Sequence, residues 1–252
     1  MSQEIIRAEV FAAKEAPRPT ESAAAHAQTA PSLYYEALFD HLGSQNWWPA
    51  RAPFEVIVGA ILTQNTSWTN VERAIANLRR EHLLNPRALE RVAFARLASL
   101  IRSSGYFRQK AKKLKAFVRF LCNEYSGSLA RMFKTPTLEL REKLLAVHGI
   151  GPETADSILL YAGKKDVFVV DAYTRRIFSR HGWVPEDVSY EELRSKIEAA
   201  LPRDVSRYNE FHALLVMAGK NWCRTREPRC SECPLGKFLP RSGGFIPPAL
   251  ES

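Results

Sequence analysis

Acidic residues are in short supply. Lys and Arg total 36 against 27 Asp and Glu, giving a formal net charge of +9 and a pI near 9.5. Such an excess of positive charge suits a polyanionic partner, most simply nucleic acid. Cysteine is scarce too: there are four, and three of them fall within residues 223–233. That distribution argues against a disulfide framework and for a metal loop in a reducing compartment. No apolar run reaches the length of a membrane span. Glu4, Arg7 and Glu9 break any signal-like core at the start. The expectation is therefore a cytoplasmic protein with no membrane partner. Alternation of apolar and polar residues never persists beyond a few positions, and no repeat is found, which leaves little room for a sheet.

What remains is a helical chain. Its 252 residues can bury one large core or two small ones, and 46% hydrophobic residues suffice to fill them. Residues 1–30 are rich in Ala, Pro, Ser and Thr and read as a tail, with one short helix expected near Ile5 to Ala13. Helical spacing begins at Leu33. Pro53 can open the next helix, which is apolar nearly all round and so expected to be buried. Further helices are predicted over residues 70–80, 86–101, 110–125, 137–146, 152–162, 171–181, 190–201 and 206–220. Residues 237–252 read as a coil tail. Basic residues cluster at 101–119, which holds seven and no acid, and again at 220–229. Clusters of this kind neutralise phosphates, although a solvated helix face has the same composition.

One stretch, Leu144 to Arg176, carries a sharper signal. A G-I-G turn at Gly149, Ile150 and Gly151 separates two predicted helices. Glycines let backbone approach a ligand closely, and the following helix presents unpaired N–H groups that suit a phosphate. Asp171 lies twenty residues on, after the apolar run 167–170, and is expected at the edge of a packed core. There it could face a developing cation, or simply cap the next helix.

The V-x-G-I-G-x-x-T-A run at Val147 to Ala155 and the V-V-D-A-Y-T-R-R run ending at Arg176 resemble the helix-hairpin-helix, Gly/Pro-Asp DNA glycosylases of the endonuclease III superfamily. The likeness extends from about Pro31 to Cys233. It implies an all-α, two-domain fold. Residues 54–165 would form a six-helix barrel containing the hairpin. Residues 31–53 and 166–236 would form a second, discontinuous helical domain with the cysteine loop, and the DNA cleft would lie between the two. The implied partner is double-stranded DNA, the implied state a monomer, and the implied place the cytoplasm, on the nucleoid in a bacterium.

The resemblance also assigns chemistry. Breaking an N-glycosidic bond gives the sugar oxocarbenium character, and Asp171 is the expected stabilising acid. Members that also cut the strand carry a Schiff-base lysine two residues after the G-x-G turn. Here that position is Glu153, which implies a monofunctional, hydrolytic enzyme. Trp47, Trp48 and Trp68 would shape the pocket for a flipped base. The W-W-P and T-Q-N-T-x-W patterns resemble the 3-methyladenine branch, so an alkylated purine is the expected substrate. An oxidised-pyrimidine glycosylase/lyase and a non-catalytic DNA-binding module are the alternatives. Gln64 and Asn65 would fill the gap in the duplex, or simply make a turn. His148, Gly149, Ile150, Gly151 and Thr154 would grip phosphate, with an alkali ion a candidate ligand there, and Lys220 would touch DNA or the pocket. One of Tyr173 and Arg175 would face the cleft.

Cys223, Cys230 and Cys233 match the start of the family's iron–sulfur loop. A [4Fe–4S] cluster is normally held by four thiolates, and the fourth position is Leu239. Three readings stand open: a cluster on three cysteines and a foreign ligand, a vestigial loop, or another metal such as zinc. Cys122 reads as a buried apolar thiol.

Overall fold

The computed structural model describes residues 29–45, 47 and 52–240. Trp48 and the short helix expected near Ile5 to Ala13 lie outside the described residues. Within them the fold is all-α, with twelve α-helices and no strand. Helix α1 (Ala30–Leu42) carries a proline in its first turn, where a missing N–H costs nothing. Helix α2 (Pro53–Leu62) is buried from Phe54 onward, as its unbroken apolar run requires. Then follow α3 (Trp68–Arg80), α4 (Pro86–Arg91), α5 (Phe94–Leu100), α6 (Phe107–Tyr125), α7 (Leu129–Met132), α8 (Thr137–Leu145), α9 (Pro152–Ser157), α10 (Ala172–Arg180), α11 (Tyr190–Ala200) and α12 (Val205–Asn221).

Packing falls into two groups. Helix α2 is central to one, with α3, α6 and α9 against it, and α6 also packs on α4, α5 and α7. In the other, α12 packs on α1 and α10, and α1 on α11. The turn after α9 touches both α2 and α12 and so joins them.

The structure departs from the sequence reading in four places. The helix expected over 86–101 breaks at Val92, which is extended with φ −57° and ψ 136° although no Gly or Pro stands there. The Lys115 ammonium, reaching over from α6, satisfies the carbonyls freed at that break: Leu89 at 2.9 Å, Glu90 at 2.7 Å, and Val92. The helix expected over 152–162 widens into a π turn over Ile158–Ala162, every residue of which is buried. Helix α7, only four residues long, is too short to show a period. Lastly, the chain packs beyond residue 236: Gly236–Phe238 forms a 3₁₀ turn, and the buried Phe238 ring lies 5.4 Å from that of Tyr34.

The basic segment 101–119 is only partly a charged face. Lys110 is buried, with its Nζ donating to the Leu62 carbonyl at 2.9 Å and the Ser104 carbonyl at 2.6 Å. It therefore caps the C-terminus of α2 and ties the loop after it to the turn before α6. Burial, then the neighbouring Lys113, lowers its pKa to about 8. Arg102, Arg108, Lys112 and Arg119 remain exposed and available to a polyanion.

Candidate active site

The segment 167–170 is buried and outside any helix, so its N–H groups need other partners. Glu198 accepts from the Phe168 N–H at 2.9 Å, and the Tyr190 hydroxyl accepts from the Val170 N–H at 3.4 Å. Tyr190 in turn donates to Asp156 at 2.8 Å, and buried Arg141 clamps Asp156 through Nε at 2.7 Å and Nη2 at 3.1 Å. The clamp joins the first hairpin helix, α8, and the second, α9, to α11. Hairpin and segment 167–170 are thereby fixed relative to one another.

Asp171 ends the segment as the N-cap of α10. Its Oδ1 accepts from the Thr174 N–H at 2.7 Å and the Thr174 hydroxyl at 2.9 Å. Its Oδ2 faces His212 Nε2 at 3.6 Å. Burial pushes the Asp171 carboxyl up, but His212 and Thr174 outweigh it and hold the group below the ordinary carboxylate range. Asp171 is thus an ionised carboxylate in a poorly hydrated place, suited to facing a cation. The capping role and the charge-stabilising role coexist.

Glu153, exposed in the first turn of α9, is a near electrostatic neighbour. Lost hydration and then the like charge of Asp171 raise its pKa, with His212 opposing. No lysine stands at this position, so an imine cannot form there.

The hairpin turn depends on Gly149, whose φ of +82° belongs to the left-handed region. A Cβ there would stand 2.3 Å from Lys113 Cγ, because the lysine side chain lies across the turn. Lys113 Nζ donates to Gln64 Oε1. Gln64 Nε2 donates to the Thr154 hydroxyl at 2.8 Å and to the Gly149 carbonyl at 3.3 Å. The loop after α2 is therefore tied to the hairpin. Gln64 is thus engaged by the hairpin in the free protein, and the Thr154 side chain is buried beneath it. Ile150 is also buried, and its N–H is taken by the Val147 carbonyl at 3.0 Å. His148 and Gly151 are exposed, and His148 shares a groove with Arg119, Phe120 and Lys143. Asn65 is exposed in a left-handed conformation, φ +52°, which Asn tolerates.

Of the aromatic candidates, Trp47 is half-buried, and the Lys220 ammonium lies 5.5 Å from its ring centre. Its indole Nε1 is buried without a hydrogen-bond partner. Residue 219, next to Lys220, must be glycine: a Cβ there would meet Tyr173 at 2.2 Å. Tyr173 thus packs against Gly219, with Arg176 over its ring at 5.1 Å, whereas Arg175 donates to the Val188 carbonyl. Trp68 opens α3 and gives its indole N–H to Glu72 at 2.9 Å.

Cys223, Cys230 and Cys233 are free thiols near enough to influence each other, and burial chiefly raises the Cys233 pKa. Cys122 is half-buried. Among the described residues no group of three or more His, Cys, Asp and Glu side chains is placed to hold a metal ion. With Leu239 at the fourth position, the donors do not fit a four-thiolate cluster. Protein contacts shape the loop instead. Arg176 Nε donates to the Cys223 carbonyl at 2.7 Å, Arg180 donates to the Arg224 carbonyl at 2.6 Å, and Gly236 packs directly on the Cys230 carbonyl.

The sequence reading missed His212. It sits in the apolar stretch Phe211 to Val216 of α12, where a lone histidine gives no signal of its role.

Comparison with known proteins places this geometry. The model of the HhH-GPD superfamily base excision DNA repair proteins matches residues 58–203. A Methanocaldococcus jannaschii protein with the provisional name of DNA repair glycosylase is 49% identical over 206 residues, 81% of this chain and 93% of that one. Endonuclease III of Thermotoga maritima is 31% identical over 72% of this chain and 79% of its own. Among solved structures, H. pylori 3-methyladenine DNA glycosylase bound to 1,N6-ethenoadenine aligns with a TM-score of 0.63 at 30% identity. That alignment covers 75% of this chain and 94% of that one. A non-covalent endonuclease III–DNA complex shares the fold with a TM-score of 0.71 at 22% identity, covering 82% and 92%.

Proposed function

The chain belongs to the HhH-GPD superfamily of base excision DNA repair proteins and is a DNA glycosylase of that family, and from that premise we propose that it releases an alkylated purine by hydrolysis without cutting the strand. Asp171 carries the reading. An ionised, poorly hydrated carboxylate stabilises the cationic sugar as the base departs and orients the attacking water. Glu153, standing where strand-cutting members carry their amine, supports the monofunctional assignment. DNA lies in the cleft between the two helix groups. The hairpin around Gly149 and Gly151 meets the backbone, and the exposed arginines of 101–119 and 224–229 add salt-dependent affinity.

The damaged base is flipped against Trp47, next to Tyr173 and Gly219. The similarity to the H. pylori 3-methyladenine glycosylase supports a purine adduct. Lys220 narrows the choice. Its ammonium already occupies the Trp47 face, so a cationic base would meet a like charge, while a neutral adduct with a nitrogen acceptor would gain a donor. The test is a duplex panel carrying 3-methyladenine, 1,N6-ethenoadenine or an oxidised pyrimidine, scored separately for freed base and broken strand. Release of a purine adduct with the strand intact is expected. Release of the oxidised pyrimidine with strand cutting would overturn the reading.

A further inference from the structure

Resting on that reading of Asp171, the geometry points to His212 as a positioning residue for the carboxylate, with its own tautomer set by Tyr161. Three side chains stand in a row through the interior. Tyr161 Oη is hydrogen-bonded to His212 Nδ1, and His212 Nε2 faces Asp171 Oδ2 at 3.6 Å. They come from three elements: the π turn, α12 and the cap of α10. His212 and Tyr161 are buried, at 6% and 3% exposure, and Asp171 is half-buried at the end of the row.

Each ring nitrogen has a determined role. A bare Nε2 would set its lone pair against those of an ionised carboxylate. We therefore assign the hydrogen to Nε2, with Nδ1 accepting from the Tyr161 hydroxyl. Tyr161 keeps its proton, because burial and then the charges of Asp171 and Glu210 push its pKa well above the ordinary value. At 3.6 Å the approach of Nε2 to Oδ2 is a little longer than a full hydrogen bond, and the interaction is a close electrostatic one. With Oδ1 fixed by Thr174, a donor aimed at Oδ2 sets the plane of the carboxylate and keeps it ionised. The other ionisable groups facing the pair are Glu153 from α9 and, at Tyr161, Glu210 from α12. The widening of the helix over Ile158–Ala162 fits the same purpose, since it sets the angle at which Tyr161 meets the imidazole.

The first readout needs no substrate. Nitrogen-15 shifts of the His212 ring in the full-length free protein are expected to show a protonated Nε2 and a hydrogen-bonded, unprotonated Nδ1. A bare Nε2 would overturn the proposal. Carbon-13 titration of the Asp171 carboxyl follows. Loss of a donor raises a carboxyl pKa, so the midpoint is expected to rise by about one unit in His212→Leu. In His212→Gln, which keeps an N–H donor, it should hold near wild type; an unchanged midpoint in the Leu variant would overturn the idea. Should the Leu variant fail to fold, the wild-type tautomer still decides. Base release under single turnover is expected to fall about a hundredfold in His212→Leu and to recover to within about tenfold in His212→Gln, with DNA affinity unchanged. Wild-type protein inactive on every lesion would remove the Asp171 reading, while the tautomer and the titration would still judge the coupling.

Discussion

Thr174 delivers its backbone N–H and its hydroxyl to the same oxygen of Asp171, at 2.7 and 2.9 Å. One carboxylate thus starts a helix and, on our reading, faces the reacting sugar. The two duties separate by substitution. Asn caps helices as well as Asp does, so Asp171→Asn should melt within a few tenths of a kcal/mol of wild type, while Asp171→Ala should lose about 1 kcal/mol. Thermal melts of the three proteins check this. Equal losses in both variants would show that the charge itself holds the fold together.

Gly149 tests the hairpin. Its left-handed backbone and the Lys113 side chain across it leave no room for a methyl group. Gly149→Ala should displace Lys113 and, through it, Gln64. Duplex affinity measured by fluorescence anisotropy should weaken about tenfold, about 1.4 kcal/mol, as the turn shifts away from its phosphate-binding shape. Affinity equal to wild type would show that DNA is held elsewhere.

Glu153 tests the division of labour with strand-cutting relatives. Wild-type protein should give no covalent adduct when borohydride is added to a reacting duplex. Glu153→Lys places an amine where an imine can form, and a trapped protein–DNA band should then appear on a denaturing gel. A band with wild type would mean that another amine reaches the sugar.

His181 supplies a pH test remote from chemistry. It is buried with its ring 5.1 Å from that of Tyr34, and lost hydration lowers its pKa to about 4, partly opposed by a hydrogen bond that the imidazole donates to the Phe238 backbone carbonyl. Its folded pKa lies below its unfolded value near 6.5, so its stabilisation is complete above pH 6.5 and is lost as pH falls toward 4. Going from pH 7 to pH 4.5, wild type should lose about 2–3 kcal/mol more than His181→Gln. Parallel losses in denaturant unfolding would contradict the assignment.

Much of this was legible in the residues. Periodicity located the main helices, the G-I-G turn fell where Gly149 needs its left-handed φ, and the spacing to Asp171 put an acid at the end of a buried run. What escaped depends on distant partners. The break at Val92 needs Lys115 from α6 to satisfy its carbonyls, so no local signal announces it. Lys110 reads as one more phosphate contact until the fold turns it inward onto Leu62. The hydrogen bond between Thr154 and Gln64, ninety residues apart, has no signal in the sequence. His212 has meaning only once α12 lies against Asp171 and the π turn.

The most direct test of the central claim compares wild type with Asp171→Asn on one lesion-bearing duplex, measuring single-turnover base release and binding affinity together. The account predicts that base release falls by at least about a thousandfold, that affinity stays within about threefold, and that neither protein breaks the strand. Base release by Asp171→Asn at the wild-type rate would contradict it.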